Sequence, residues 1–192
     1  MSIVIKDLSK SFPDTRVFEK LNLEFKEGRI TCIMGKSGVG KTTLLSMIMG
    51  LVSPDEGAIE GLDGKKISAV FQENRLCENL TAVLNIKMVT DLSGRYSESD
   101  ILSFLAKIGI DGTIRKPVKE FSGGMQRRVA ILRALMAESD VLIMDEPLKG
   151  LDEETKDAVK GLILDLTKGK TVIMSTHDVR EAESFGAEVV QI

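Results

Sequence analysis

The residues Gly35-Lys36-Ser37-Gly38-Val39-Gly40-Lys41-Thr42 follow directly on the apolar run Ile30 to Met34 and lead into Thr43-Leu44-Leu45-Ser46-Met47-Ile48-Met49. A buried strand, a glycine-rich turn and a helix in that order leave few folds open. The glycines permit a turn tight enough for backbone N–H groups to converge on phosphate oxygens, and the following helix points its positive end at the same anion. At this spacing Lys41 neutralises the outer phosphates and the Thr42 hydroxyl is a magnesium ligand. The helix is expected to end at Gly50. The competing reading is a chance glycine-rich turn. With 17 glycines in 192 residues, composition produces the full spacing on the order of once or twice per hundred such chains, before the flanking strand and helix are required.

Kinases, GTPases and many ATPases share such a loop, so the rest of the chain has to choose among them. A length of 192 residues suits one domain, with room for a subdomain and a sizeable core. The formal charge of -3 argues against a polyanion-binding surface, and no nucleic-acid partner is expected. No apolar run reaches the roughly 18 residues that cross a bilayer, and the N-terminus lacks the pattern of a signal peptide. A soluble, cytoplasmic protein is expected. Cys32 lies in the predicted core strand and Cys77 in a polar segment, without metal-ligand spacing, so both are expected to be reduced thiols.

Along the chain, Ile3 and Ile5, then Leu21, Leu23 and Phe25, alternate with polar residues, which predicts a small antiparallel sheet. Between them Phe12, in the turn Ser11-Phe12-Pro13-Asp14, and Phe18 each stand either as a base-stacking aromatic or as core. Ser53 to Gly57 reads as a turn, Ala58 to Glu60 as a short strand, and Ile67 to Phe71 as a further strand ending in Gln72. Gln72 either sits beside a metal and an attacking water or is a surface amide. From about residue 75 to 120 helical segments, including Ser99 to Ile108, form a candidate subdomain in which Leu76, Leu80, Val83, Leu84 and Ile86 are expected to pack inward.

Phe121-Ser122-Gly123-Gly124-Met125 opens a helix whose Met125, Val129, Leu132 and Met136 share one stripe. Ser122 can cap it, and Gly123 and Gly124 leave N–H groups accessible at its positive end, so the segment is either a second anion site or an ordinary capped helix. Val141 to Met144 is a doubly buried strand that delivers Asp145 and Glu146 at its carboxyl end. Adjacent buried carboxylates need a cation, which fits Asp145 held against magnesium and Glu146 facing a water. Leu148 to Asp152 leads into an amphipathic helix, Glu153 to Lys168, with Ala158, Val159, Leu162, Ile163 and Leu166 on its apolar face. Thr171 to Met174 is another buried strand, followed by Ser175-Thr176-His177-Asp178. His177 is the only histidine in the chain. A last helix, Val179 to Phe185, and a strand, Glu188 to Ile192, close the pattern.

The order of these segments resembles the ATP-binding cassette (ABC) transporter ATPases over essentially the whole chain. Gly35 to Thr42 corresponds to the Walker A motif, Gln72 to the Q-loop, Ser122-Gly123-Gly124 to the family signature and Val141 to Glu146 to Walker B. Asp152 falls at the D-loop, His177 at the switch histidine and Phe12 at the base-stacking aromatic. The signature departs from the commonest form at Phe121 and Met125, and the D-loop at Lys149.

The resemblance implies an α/β, P-loop NTPase core with a mostly parallel sheet, a small N-terminal antiparallel β-subdomain and an inserted helical subdomain, together one nucleotide-binding domain over residues 1–192. It implies ATP and Mg2+ as ligands, the nucleotide contacting Phe12, Gly35, Ser37, Gly38, Val39, Gly40, Lys41, Thr42 and Thr43 of one cassette and Ser122, Gly123 and Gly124 of the other. Thr42, Gln72 and Asp145 then attend the metal, Glu146 is the general base, and His177, Lys41 and Gln72 complete the catalytic set. Two cassettes, identical or related, sandwich two ATP molecules and drive separate membrane-spanning permease subunits from the cytoplasmic face of the membrane. The stretch Phe71 to Leu76 is similar to importers of the nitrate, sulfonate and taurine type, which would add a solute-binding protein. The alternative is a soluble cassette ATPase acting on DNA, ribosomes or cluster assembly. Against it stand the absence of a coiled-coil insertion, a second cassette and a basic tail. A phosphate-loop kinase or GTPase would leave Ser122 to Gly124 and His177 unexplained.

Overall fold

The computed structural model describes residues 2–90, 94–112 and 115–192. Residues 91–93 and 113–114, within the stretch read as a helical subdomain, lie outside the described residues. The first elements are β1 (Ile3–Phe12), β2 (Thr15–Phe25), β3 (Ile30–Met34), α1 (Lys41–Ile48), β4 (Glu56–Glu60) and β5 (Ile67–Val70). Next come α2 (Ala82–Thr90), α3 (Glu98–Lys107), a 3-10 turn at Val118–Glu120, and α4 (Gly123–Met136). The chain continues through β6 (Val141–Asp145), α5 (Glu153–Leu166), β7 (Thr171–Thr176), α6 (Val179–Ser184) and β8 (Glu188–Gln191). Two compact units result, one from Met1–Ile67, Asp140–Glu146 and Gly169–Ile192, the other from Ser68–Ser139 and Pro147–Lys168.

In the first unit β1 pairs antiparallel with β2 and, on its other edge, with β4. The alternation that buries Ile3 and Ile5 does not run unbroken to Phe12: the register shifts between Ile5 and Leu8, where Asp7 takes a φ of +45°. Asn22 locks this bulge, accepting from the Asp7 N–H at 3.0 Å and donating to the Asp7 carboxylate at 3.0 Å. The shift returns Leu8 to the core face.

The second sheet of this unit places β6, β7, β3 and β8 side by side, with β7 parallel to β6 and to β3, and β8 parallel to β3. Every residue of β6 and β7 is buried, as an apolar strand covered on both faces requires. Leu44, Leu45, Met47 and Ile48 of α1 pack into the cluster that holds Ile33, Val141, Ile143 and Ile173. Gly50, at φ +71°, stops α1: its N–H donates to Met47 O at 3.0 Å and that of Leu51 to Ser46 O at 2.9 Å.

In the second unit Ser97 and Asp100 form a reciprocal capping box on α3. Helix α2 buries Ala82, Val83, Asn85, Ile86 and Thr90. Leu84, expected inside, is 45% exposed, because it lies with Met88 on the face of α2 opposite Val83 and Ile86. The buried Asn85 faces inward instead, accepting from Cys77 N–H at 2.8 Å and donating to the carbonyls of Cys77 and Thr81 at 3.1 and 3.0 Å. Ala158, also expected on an apolar face, is exposed, and α5 packs through Val159, Leu162 and Ile163. Strand β5 stops at Val70 and β7 runs on through Ser175 and Thr176, one residue shorter and two residues longer than the apolar runs suggested.

Candidate active site

The carboxyl ends of β3, β6 and β7, three neighbouring parallel strands, carry the chemistry of the first unit. After β3 the chain turns through Gly35 to Gly40 into α1. Gly40 precedes the helix at φ +110°, and a Cβ there would stand 2.4 Å from Val17 Cγ1 and 2.7 Å from Phe18 Cζ. The loop therefore rests on the β-subdomain side chains at a point where nothing larger than glycine fits. Lys41 is 8% exposed, and its Nζ donates to the carbonyls of Gly35 at 2.8 Å and Lys36 at 3.0 Å. Those two bonds curl the loop around the ammonium group.

Opposite the loop, the Thr42 hydroxyl donates to Asp145 Oδ2 at 2.6 Å, and the Ser175 hydroxyl donates to Asp145 Oδ1 at 2.5 Å. The N–H of Glu146 donates to Ser175 Oγ at 2.9 Å. Glu146 itself stands at φ +45°, an uncommon conformation for a non-glycine residue. Its Oε1 lies 3.5 Å from His177 Nδ1, with the His177 side chain 66% exposed. The Thr176 hydroxyl donates to Glu181 Oε2 at 2.6 Å and accepts from Asp178 N–H at 3.1 Å, which fixes the turn that carries His177.

Thr42 Oγ1 and Asp145 Oδ2 are hard oxygen donors, the kind magnesium takes in ones and twos, with phosphate and water supplying the rest. Among the described residues no cluster of three or more His, Cys, Asp or Glu side chains gathers. A metal held chiefly by phosphate and water needs none, so the residues present fit magnesium.

The two aromatics left open by the sequence separate. Phe18 is buried against Gly40, whereas Phe12 is 46% exposed at the end of β1. The Lys10 ammonium lies 5.5 Å from the centre of the Phe12 ring. Asp55 steadies this end of the strand, accepting from Lys10 Nζ and from Ser11 N–H, each at 2.7 Å. Those contacts hold its carboxyl below the usual range, the Lys10 bond first.

In the second unit Ser122 caps α4, accepting from Met125 N–H at 3.3 Å. Neither Gly123 nor Gly124 has a positive φ, and no atom lies within 3.4 Å of a Cβ built on either. Two arginines of α4 then hold the loop after β5. Buried Arg127 donates through Nη1 to Phe71 O, and through Nε to Pro147 O at 3.0 Å. Arg133 donates to Arg75 O at 2.9 Å and Asn74 O at 3.3 Å. Gln72, inside this clamped loop, has an exposed side chain. Asp152 caps α5, accepting from the Thr155 N–H at 2.9 Å and hydroxyl at 2.8 Å, and these bonds lower its pKa. Walker A and B residues and His177 thus belong to the first unit, and Gln72, Ser122 to Gly124 and Asp152 to the second. No sequence motif marks Ser175 or Arg127: Ser175 shows only as the end of a buried strand, and Arg127 only as a charge two residues before the mostly apolar stretch Val129 to Met136.

The ABC transporter family pattern matches residues 18–149. The taurine import ATP-binding protein of Jannaschia sp. (strain CCS1) is 33% identical, covering 98% of this chain and 76% of its own. The aliphatic sulfonates import ATP-binding protein of Bacillus anthracis is 35% identical over 99% of this chain and 80% of its own. A lantibiotic transport ATP-binding protein of Streptococcus pyogenes is 35% identical, at 93% and 81% coverage. Among solved structures, a bacterial ABC transporter cassette in dimeric form aligns with a TM-score of 0.84 and 29% identity, covering 99% of this chain and 94% of that one. The soluble, non-transport alternative has no counterpart among these proteins.

Proposed function

The chain belongs to the ABC transporter family as an ATP-hydrolysing subunit, and from that premise we propose that it powers solute import as one of two paired cassettes on separate permease subunits. The observation that carries the pairing is the glycine pair at the start of α4. Glycine is unfavourable in a helix by about 1 kcal/mol relative to alanine. Here neither backbone conformation nor neighbouring atoms within the chain call for it. A bare, positive helix end suits the phosphates of a nucleotide held by the phosphate loop of a second cassette. A solved ABC transporter cassette similar to this chain is dimeric, which supports pairing as such.

On this reading the loop amides and Lys41 offset charge on the β and γ phosphates. Thr42 and Asp145 hold magnesium, which when bound neutralises charge on the transferred group. Glu146 accepts the proton of the attacking water as its oxygen bonds to the γ phosphorus and the bond to the ADP oxygen breaks. His177, within reach of Glu146 Oε1, orients that water, and Phe12 offers its exposed ring to the base. Gln72 senses the bound nucleotide from its clamped loop.

No helix among the described residues is long and apolar enough to cross a membrane. We place the chain at the cytoplasmic face, with a small sulfonate as the solute class to test first and a solute-binding protein as a further partner. The deciding experiment is affinity capture from detergent-solubilised membranes with Glu146→Gln and ATP. Co-purification of a multi-span membrane protein is the expected outcome; ribosomes or DNA-bound proteins without one would overturn the transport reading.

A further inference from the structure

We propose that Ser175 is a positioning residue for ATP hydrolysis, one hydroxyl that sets both the metal-side carboxylate of Asp145 and the backbone of Glu146. It rests on the roles given above to those two residues. Ser175 is completely buried and lies directly across from Asp145 in the parallel β6–β7 register. A serine hydroxyl has one hydrogen to give and lone pairs to receive. The hydrogen goes to Asp145 Oδ1 at 2.5 Å, and a lone pair takes the Glu146 N–H at 2.9 Å. Donation in that direction requires Asp145 to act as the acceptor. With Oδ1 tied to β7, the carboxylate cannot rotate freely, and Oδ2 stays on the Thr42 hydroxyl at 2.6 Å.

The second bond acts on Glu146. A residue held at φ +45° persists in that conformation where its surroundings over-determine it. The hydrogen bond from its own N–H to a fully buried hydroxyl on the neighbouring strand is such a constraint. Removing the hydroxyl takes away that bond and loosens one constraint on the Glu146 backbone, which shifts the side chain from its place 3.5 Å from His177. Both effects fall on alignment of groups around the γ phosphate and neither on the loop that grips the nucleotide. Turnover should suffer and nucleotide affinity should not.

The test compares Ser175→Thr with Ser175→Val, which match in shape and differ in the hydroxyl, with Ser175→Ala as the variant that adds no bulk. Steady-state ATP hydrolysis is read together with binding of a fluorescent ATP analogue, its magnesium dependence, and the melting temperature. Expected are near-normal kcat for Ser175→Thr and a kcat lower by about 10- to 100-fold for Ser175→Val and Ser175→Ala. The two hydroxyl-free variants should also need more magnesium to tighten analogue binding, with KM for ATP within about twofold of the parent. Equal kcat in Ser175→Thr and Ser175→Val overturns the proposal. So does a loss confined to melting temperature or shared equally by nucleotide affinity, which marks a structural role. Glu146→Gln is assayed alongside: if it still turns over, the role of Glu146 falls and the proposal with it. If it is silent while Ser175→Val keeps full kcat, only the proposal falls.

Discussion

The Thr42 hydroxyl and Asp145 Oδ2 are joined by a 2.6 Å hydrogen bond between the first turn of α1 and the end of β6. The two groups proposed to attend the metal therefore face one another directly. Asp145→Asn keeps the size and removes the charge. Its magnesium requirement for half-maximal ATP hydrolysis should rise by about 10- to 100-fold, while analogue binding without magnesium stays unchanged. An unaltered magnesium titration would remove Asp145 from the metal site.

Gly40 and Gly38 should respond differently to alanine. Both have positive φ, +110° and +80°, but only at Gly40 would the new methyl meet Val17 and Phe18, at 2.4 and 2.7 Å. At Gly38 no atom lies within 4 Å, so the penalty is the left-handed backbone alone, about 1–2 kcal/mol. Urea unfolding should show Gly40→Ala to be clearly the more destabilised of the two. Equal losses would mean that contact with Val17 and Phe18 does not shape the loop.

Much of this was legible in the chain. Ile30 to Met34 is an apolar run bounded by Arg29 and Gly35, and the strand has those limits. Asp145 and Glu146 end the apolar run Val141 to Met144, typical of a doubly buried strand, and β6 holds that run. What local sequence does not carry depends on distant partners. Leu84 and Ile86 look alike in composition, and only the direction in which α2 faces α4 sends one inward and the other out. Phe12 and Phe18 are separated by a hairpin turn and by register shifts that no local pattern announces. Ser175 reads as a polar strand end until its register with Asp145 is known. Arg127 reads as surface charge, since the carbonyl of Phe71 that it holds is 56 positions away in the chain.

Arg127 should matter for stability more than its exposed neighbours. It is 6% exposed and spans the carbonyls of Phe71 and Pro147. Arg127→Met retains the apolar stem and leaves these acceptors without the guanidinium, a loss of about 3 kcal/mol by urea denaturation. A change below about 1 kcal/mol would show that water replaces the guanidinium without penalty.

Cys32 gives the fold an alkaline limit. Burial, with a smaller contribution from the Glu181 charge, pushes its thiol from 9.0 up to about 12. The unfolded chain ionises first, so the contribution is intact below pH 9.0 and is lost as pH rises towards about 12. Between about pH 8 and about pH 10 the parent protein should lose more stability than Cys32→Ala, which lacks the titrating group. Parallel pH slopes would contradict this. Native-state alkylation should label the exposed Cys77 alone of the two thiols.

The glycine pair of α4 separates folding from assembly. Gly123→Ala adds a methyl where no atom lies within 4 Å and φ is not positive, and alanine favours a helix by about 1 kcal/mol over glycine. The isolated cassette should be as stable as the parent or slightly more so. In a Glu146→Gln background, ATP should shift the parent cassette to a dimer by size-exclusion chromatography with light scattering. The added Gly123→Ala should abolish that shift, because the methyl occupies the approach to the helix end that a nucleotide on the second cassette would use. A variant that is stabilised and still dimerises with ATP would show that nothing approaches Gly123 closely, and the pairing would have to be rebuilt on another surface.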